Sequence, residues 1–229
     1  MATTTTAHDS TGTRSGTSSS LFWTRLGSFL AVFPLGIWTI GHLWNNLSAF
    51  RGGDAWQEAV TGYRHPMAMV GTFLVSLLPL VLHTIWGLKR MFSFRPNITR
   101  YSNFDNLKYM LQRVTALGAL FFIGAHVWMA FLRPRLLAGH AEAFGDISAS
   151  MHWHLPTLLV YLIGTLGVAF HLANGISSFA WTWGLAAGRR SFRRYDVLAI
   201  TLFVLLTAMA WGSIYALYQA GAAYPPPEL

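Results

Sequence analysis

Four histidines stand singly in four long apolar runs of this chain. His42, His83, His126 and His171 occupy one run each, and a fifth run, 197–218, has none. An imidazole is a common metal ligand and a proton carrier near neutral pH. Inside a long apolar run it is costly to leave unpaired, so it points to function. A single buried histidine can be satisfied by an ordinary core hydrogen bond. One on each of four consecutive runs asks for a shared purpose.

The elements that carry them are membrane spans. The chain has 229 residues, 53% of them hydrophobic and only 10% charged. A soluble domain usually carries about 25% charged residues, so a single core cannot hide this much apolar surface and lipid is the expected solvent. The run that best defines the pattern lies between Arg113 and Arg133, with 19 uncharged residues between them, the right length for a bilayer helix. Five spans are expected: 21–47, 67–88, 114–132, 155–187 and 197–218. Pro34 is expected to kink the first. Span four is long for one bilayer and is expected to project beyond it. Residues 1–20, rich in Thr and Ser, are expected to form a disordered tail, and residues 219–229 a short tail at the other end. The fold class is all-α, a five-helix membrane bundle over 21–218.

Charge sets the expected orientation. Twelve of the 16 Lys and Arg lie in the N-terminal segment, in the loop between spans two and three, and in the loop between spans four and five. The positive-inside rule then puts the N-terminus in the cytoplasm and the C-terminus outside. The net charge of +8 forms no continuous basic face, so nucleic acid is not an expected partner. The absence of Cys excludes disulfides, thiolate metal sites and cysteine-held iron–sulfur clusters in this chain.

Depth sorts the histidines. At 1.5 Å per residue, His42 lies about 28 Å from Trp23 and His126 about 20 Å from Arg113, both measured from the cytoplasmic face. His83 lies about 9 Å short of Lys89, and His171 about 24 Å past Leu155 on an inward-running span. His42 and His126 therefore share an outer level, and His83 and His171 an inner one. Facing imidazoles from different helices suit six-coordinate haem. Gly41, Gly124, Ala125, Ala173 and Gly175 supply small side chains nearby. A zinc or copper site would gather three or four ligands at one level, often with carboxylates, and a proton relay would also want them. No Asp or Glu lies in any span. Two stacked bis-histidine haems fit best. The electron donor must then be a partner subunit or a membrane quinol, because the chain has no flavin or dinucleotide motif.

The segments PLGIWTIGHLWNN, LLPLVLHTIWGLKR, LQRVTALGALFFIGAHVW and YLIGTLGVAFHLANGISSFAWTWG resemble the cytochrome b subunit of succinate:quinone oxidoreductases, of the five-span, di-haem type. The resemblance runs from about residue 24 to residue 215, and LQRVT paired with HLANGI is its most specific part. It implies a membrane anchor for a flavoprotein subunit and an iron–sulfur subunit, which hold FAD and the iron–sulfur clusters. It implies two b haems, one on His42 and His126 (distal) and one on His83 and His171 (proximal), and a quinone, menaquinone above others. It implies a bacterial cytoplasmic membrane, activity only within the succinate dehydrogenase complex, and no catalytic centre in this chain. A homo-oligomer of the complex is compatible with it. Quinol:fumarate reductase is the same wire run backwards. Rivals are a di-haem cytochrome b of another respiratory dehydrogenase and a haem-free anchor or transporter. Arg113, Arg25 and Ser28 are candidate propionate partners. Glu58 and His65, before span two, are candidates for a quinone site. His140, His152 and His154 are expected to be solvated or interfacial.

Overall fold

The computed structural model describes residues 12–62, 66–92 and 104–227. Among the described residues five helices are long and apolar enough to cross a membrane: α1 (Ser20–Arg51), α3 (Val70–Met91), α4 (Phe104–Ala138), α6 (Leu155–Thr182) and α7 (Arg189–Gly221). Two short helices, α2 (Gly53–Thr61) and α5 (Phe144–Trp153), lie in the connections at one end, here called the capped end. No strand occurs among the described residues. The spans turn their large side chains outward: Ile37, Phe121 and Ile163 are each at least 65% exposed. Such a surface is stable only against lipid.

Small residues set the contacts between spans, as expected where lipid removes the usual hydrophobic drive. Ala173, Ala180 and Ala210 are almost wholly buried. Helix α1 packs on α3, α6 and α7; α4 packs on α6; α6 packs on α7; α3 and α4 barely touch. Spans one to four therefore form a four-helix ring, with α1 opposite α4 and α3 opposite α6, and α7 lies outside on α1 and α6. A sizeable apolar core sits at the capped end, where Trp56, Phe144, Met151, Ile214 and Leu217 pack together.

Prolines perturb three spans. A wide π-turn, Ala31–Gly36, surrounds Pro34; another, Phe73–Leu77, precedes Pro79; a third, Trp128–Leu132, precedes Pro134. Proline lacks the N–H and collides with the carbonyl four residues back, so the helix widens or kinks there.

Several boundaries differ from those expected. The helix of span one begins at Gly12, so residues 12–19, expected as disordered tail, continue the helix. Once the apolar segment is helical, each further residue adds one hydrogen bond without a new nucleus. Helix α4 begins at Phe104, ten residues before the apolar run, and α7 begins at Arg189. Hydropathy marks the lipid-buried part only, and polar turns prolong both helices. Lys108 bridges them through Asp196 at 3.1 Å. Helix α6 stops at Thr182, short of residue 187. Gly184 has φ +72°, Gly184 N–H donates to Trp181 O, and Leu185 N–H donates to Ala180 O. This is a glycine-terminated Schellman cap. The C-terminal tail is anchored, since Trp153 Nε1 donates to Tyr224 O at 2.9 Å.

Candidate functional site: two histidine pairs across the bundle

The ring of spans brings the four histidines together two by two. The His42 and His126 ring centroids are 5.8 Å apart with planes at 70°. Those of His83 and His171 are 6.3 Å apart at 65°. Each pair joins opposite helices, α1 with α4 and α3 with α6.

Hydrogen bonds fix the two levels. His83 Nδ1 lies 3.0 Å from Gly27 O, and Gly27 precedes His42 by 15 residues on α1, about 22 Å of helix. His171 Nδ1 lies 3.2 Å from Gln112 O, and Gln112 precedes His126 by 14 residues on α4, about 21 Å. The His42/His126 pair is at the capped end. There Trp56 Nε1 donates to Asn46 Oδ1 at 3.1 Å, and Asn46 Nδ2 donates to His42 O at 2.9 Å.

The surroundings orient each ring. A carbonyl only accepts, so Gly27 O and Gln112 O require the proton on Nδ1 of His83 and His171. Nε2 then keeps its lone pair, as in ligated histidines whose second nitrogen is held by the protein. His126 Nδ1 lies 3.1 Å from the Tyr161 hydroxyl. His42 stacks on Trp38 at 4.7 Å with planes 9° apart, and its Nε2 lies 3.5 Å from Asn46 Nδ2.

This geometry fits a bis-imidazole iron. Metal–imidazole bonds are about 2.0 Å long and the ring centre lies about 1 Å beyond the nitrogen, so two rings on one metal have centres about 6 Å apart. Both pairs match. Opposite spans are not among the closely packed neighbours. A Cβ added at Gly41 or Gly124 would meet nothing within 4 Å, so both face open space beside His42 and His126. Ala173 and Gly175 act differently. Ala173 is buried in helix packing, and Gly175 lies against Gln112 Nε2. Among the described residues no three His, Asp or Glu gather at one point, the arrangement a zinc or copper centre needs.

The other expected residues fall into three groups. Arg113 lies beside Gln112 at the lower level, its Nε buried without a hydrogen-bond partner and its guanidinium 5.0 Å from the Tyr109 ring centre. A buried guanidinium N–H aimed at no protein atom suits a carboxylate. Arg25 and Ser28 staple α1 to the end of α6. Arg25 Nε donates to Thr182 O at 3.5 Å, and Ser28 accepts from Trp183 Nε1 at 3.2 Å and donates to Arg25 O. Glu58 is on the exposed face of α2 at the capped end, and His65 lies outside the described residues. His152, expected to be solvated or interfacial, is half-buried, with Nδ1 2.8 Å from Tyr218 O.

Sequence reasoning missed Tyr161, Trp38 and the structural part of Gln112. Gln112 Nε2 donates to His171 O at 3.0 Å, and Gln112 Oε1 accepts from Asn174 Nδ2 at 2.8 Å. The LQRVT and HLANGI segments thus touch through these three residues, a signal present in their co-occurrence. Gln112→Leu is expected to destabilise the protein by about 1–2 kcal/mol, since interhelical hydrogen bonds in membranes average below 1 each. A lower thermal midpoint with haem absorbance as the probe checks this.

Residues 93–210 match the model of the succinate dehydrogenase/fumarate reductase transmembrane subunit family. The succinate dehydrogenase cytochrome b558 subunit of Bacillus subtilis (strain 168) is 33% identical over 196 residues, 85% of this chain and 96% of that one. On these two matches the chain belongs to the succinate dehydrogenase/fumarate reductase transmembrane-subunit family.

Proposed function

We propose that this chain is the di-haem membrane anchor of a succinate:quinone oxidoreductase. It carries electrons between cytoplasmic flavoprotein and iron–sulfur subunits and a membrane quinone, menaquinone in the first instance. The observation that carries the reading is the pair of diagonal histidine contacts at two depths, each with the centre-to-centre distance a shared iron needs. The relative's printed name, a cytochrome b558 subunit of succinate dehydrogenase, supports haem and the same partners.

Bound haem b supplies one-electron redox chemistry. The chain's own residues hold and tune it. His42 and His126 are the ligands of the distal haem, and His83 and His171 of the proximal one. Gly27 O and Gln112 O keep the Nδ1 proton on His83 and His171, which leaves Nε2 for iron and strengthens both ligands as donors. Arg113 neutralises a propionate at the lower level, with Arg25 and Ser28 as weaker candidates because their polar atoms already bond within the protein. The basic ends of α3, α4 and α7 lie away from the capped end and form the inner, cytoplasmic docking face. The capped end faces outside, so Glu58 on α2, and His65 seven residues later in the sequence, are candidates for the quinone's proton supply. A charge crossing the whole field changes energy by about 2.3 kcal/mol per 100 mV, which couples the reaction to the membrane potential.

The test is a pyridine haemochrome assay with a dithionite-reduced spectrum on the purified complex. Two haems b per chain is the expected result. None, or one, overturns the di-haem reading in favour of a haem-poor anchor.

A further inference from the structure

Three of the four histidines have an Nδ1 partner in hand, and the partners are not alike. His83 and His171 face backbone carbonyls, which no substitution at the partner position can remove. His126 faces a side chain, the Tyr161 hydroxyl at 3.1 Å. That hydroxyl is held in place. The Tyr161 ring meets His126 edge to face at 5.6 Å and Phe122 at 5.5 Å with planes at 90°. Phe122 in turn stacks on His126 at 5.8 Å with planes 20° apart. Gly164, one turn along α6, admits Phe122: a Cβ there would lie 2.2 Å from the Phe122 ring. Tyr161 also packs on the apolar core of the capped end.

We infer that Tyr161 is the positioning residue of His126, its phenol oxygen accepting the Nδ1–H and so setting the tautomer, plane and donor strength of that one ligand. The inference rests on the two-haem reading. An imidazole whose N–H is held by an acceptor is a stronger donor and favours oxidised iron. Tyr161 therefore lowers the potential of the His42/His126 couple and leaves the His83/His171 couple alone, because the latter's acceptors are main-chain atoms of α1 and α4, and His171 itself lies about 15 Å from Tyr161 along α6. The chain gains a side-chain handle on one step of its wire.

The experiment is a redox titration of the complex carrying Tyr161→Phe, followed by haem absorbance and by the low-spin resonance of each oxidised haem. Phenylalanine keeps the ring and removes only the acceptor. The expected result is two haems bound, one couple raised in potential with an altered low-spin signal, and the other couple unmoved. Two bound haems with neither couple moved, or the affected couple lowered as added water would do, overturns the inference. Should Tyr161→Phe release one haem, Phe122→Leu decides, since it loosens the ring packing and keeps the hydroxyl. Retention of both haems in Phe122→Leu supports the hydrogen bond as the cause, and loss there too overturns it. Fewer than two haems in the unsubstituted complex would instead count against the di-haem reading itself.

Discussion

Replacing His83 with alanine is expected to leave one haem of two in the assembled complex and to stop succinate-driven quinone reduction. Changing a residue that merely orients a ligand costs about 10–100-fold in metal affinity or activity, so loss of the ligand itself should cost more than roughly 100-fold. The pairing makes the outcome specific. His83 and His171 stand 6.3 Å apart at the lower level, and the upper pair is separated from them by about four turns of helix. In His83→Ala the remaining haem is reduced by dithionite but no longer by succinate, because its route from the soluble subunits is cut. His126→Ala gives the mirror result: one haem remains, succinate still reduces it, and quinone reduction is lost. Haem stoichiometry with the two reductants checks both variants. Retention of two haems in either one would sink the ligand assignment, and identical behaviour of the two would sink the order of the wire.

Gly27→Val is expected to act nearly as strongly without touching a ligand. A Cβ on Gly27 would lie 2.3, 2.5 and 2.7 Å from three atoms of the Trp86 ring. The indole is no flexible chain end. It sits 5.5 Å from the His83 ring, and the Arg90 guanidinium lies 5.4 Å from its ring centre. Room for the new side chain comes only from moving α1 away from α3 or from driving Trp86 onto His83. Either motion breaks the bond from His83 Nδ1–H to Gly27 O. Overpacking of this kind costs about 1–3 kcal/mol, and here it falls on the orientation of His83. The expected readout is loss or spectral change of the proximal haem, with the distal couple at its usual potential. An unchanged proximal signal in a stable Gly27→Val complex would show that α1 yields freely and that its carbonyl does not hold the ligand.

Much of this protein was legible in its sequence because lipid imposes a simple rule. Every lipid-buried backbone group must be paired within the protein, so five long apolar runs dictated five helices. A constant rise per residue then converted sequence position into depth. That was enough to sort His42 with His126 and His83 with His171, and the tertiary structure brings the same residues face to face. The polar helical turns at Phe104 and Arg189 carried no hydropathy signal, and the stop at Thr182 depended on one left-handed glycine, Gly184. Only the tertiary structure decided which helices stand opposite one another, because helix order around a ring follows from close packing of small residues and not from hydropathy. It alone decided how each imidazole is held. Gly27 and Gln112 offer main-chain oxygens, which look the same at every residue of a sequence. Tyr161 lies 35 residues from His126 and reaches it because α4 and α6 pack as neighbours. Composition and spacing thus set the solvent, the number of spans and the histidine levels, and the packing of helices set the Nδ1 partners of His83, His126 and His171.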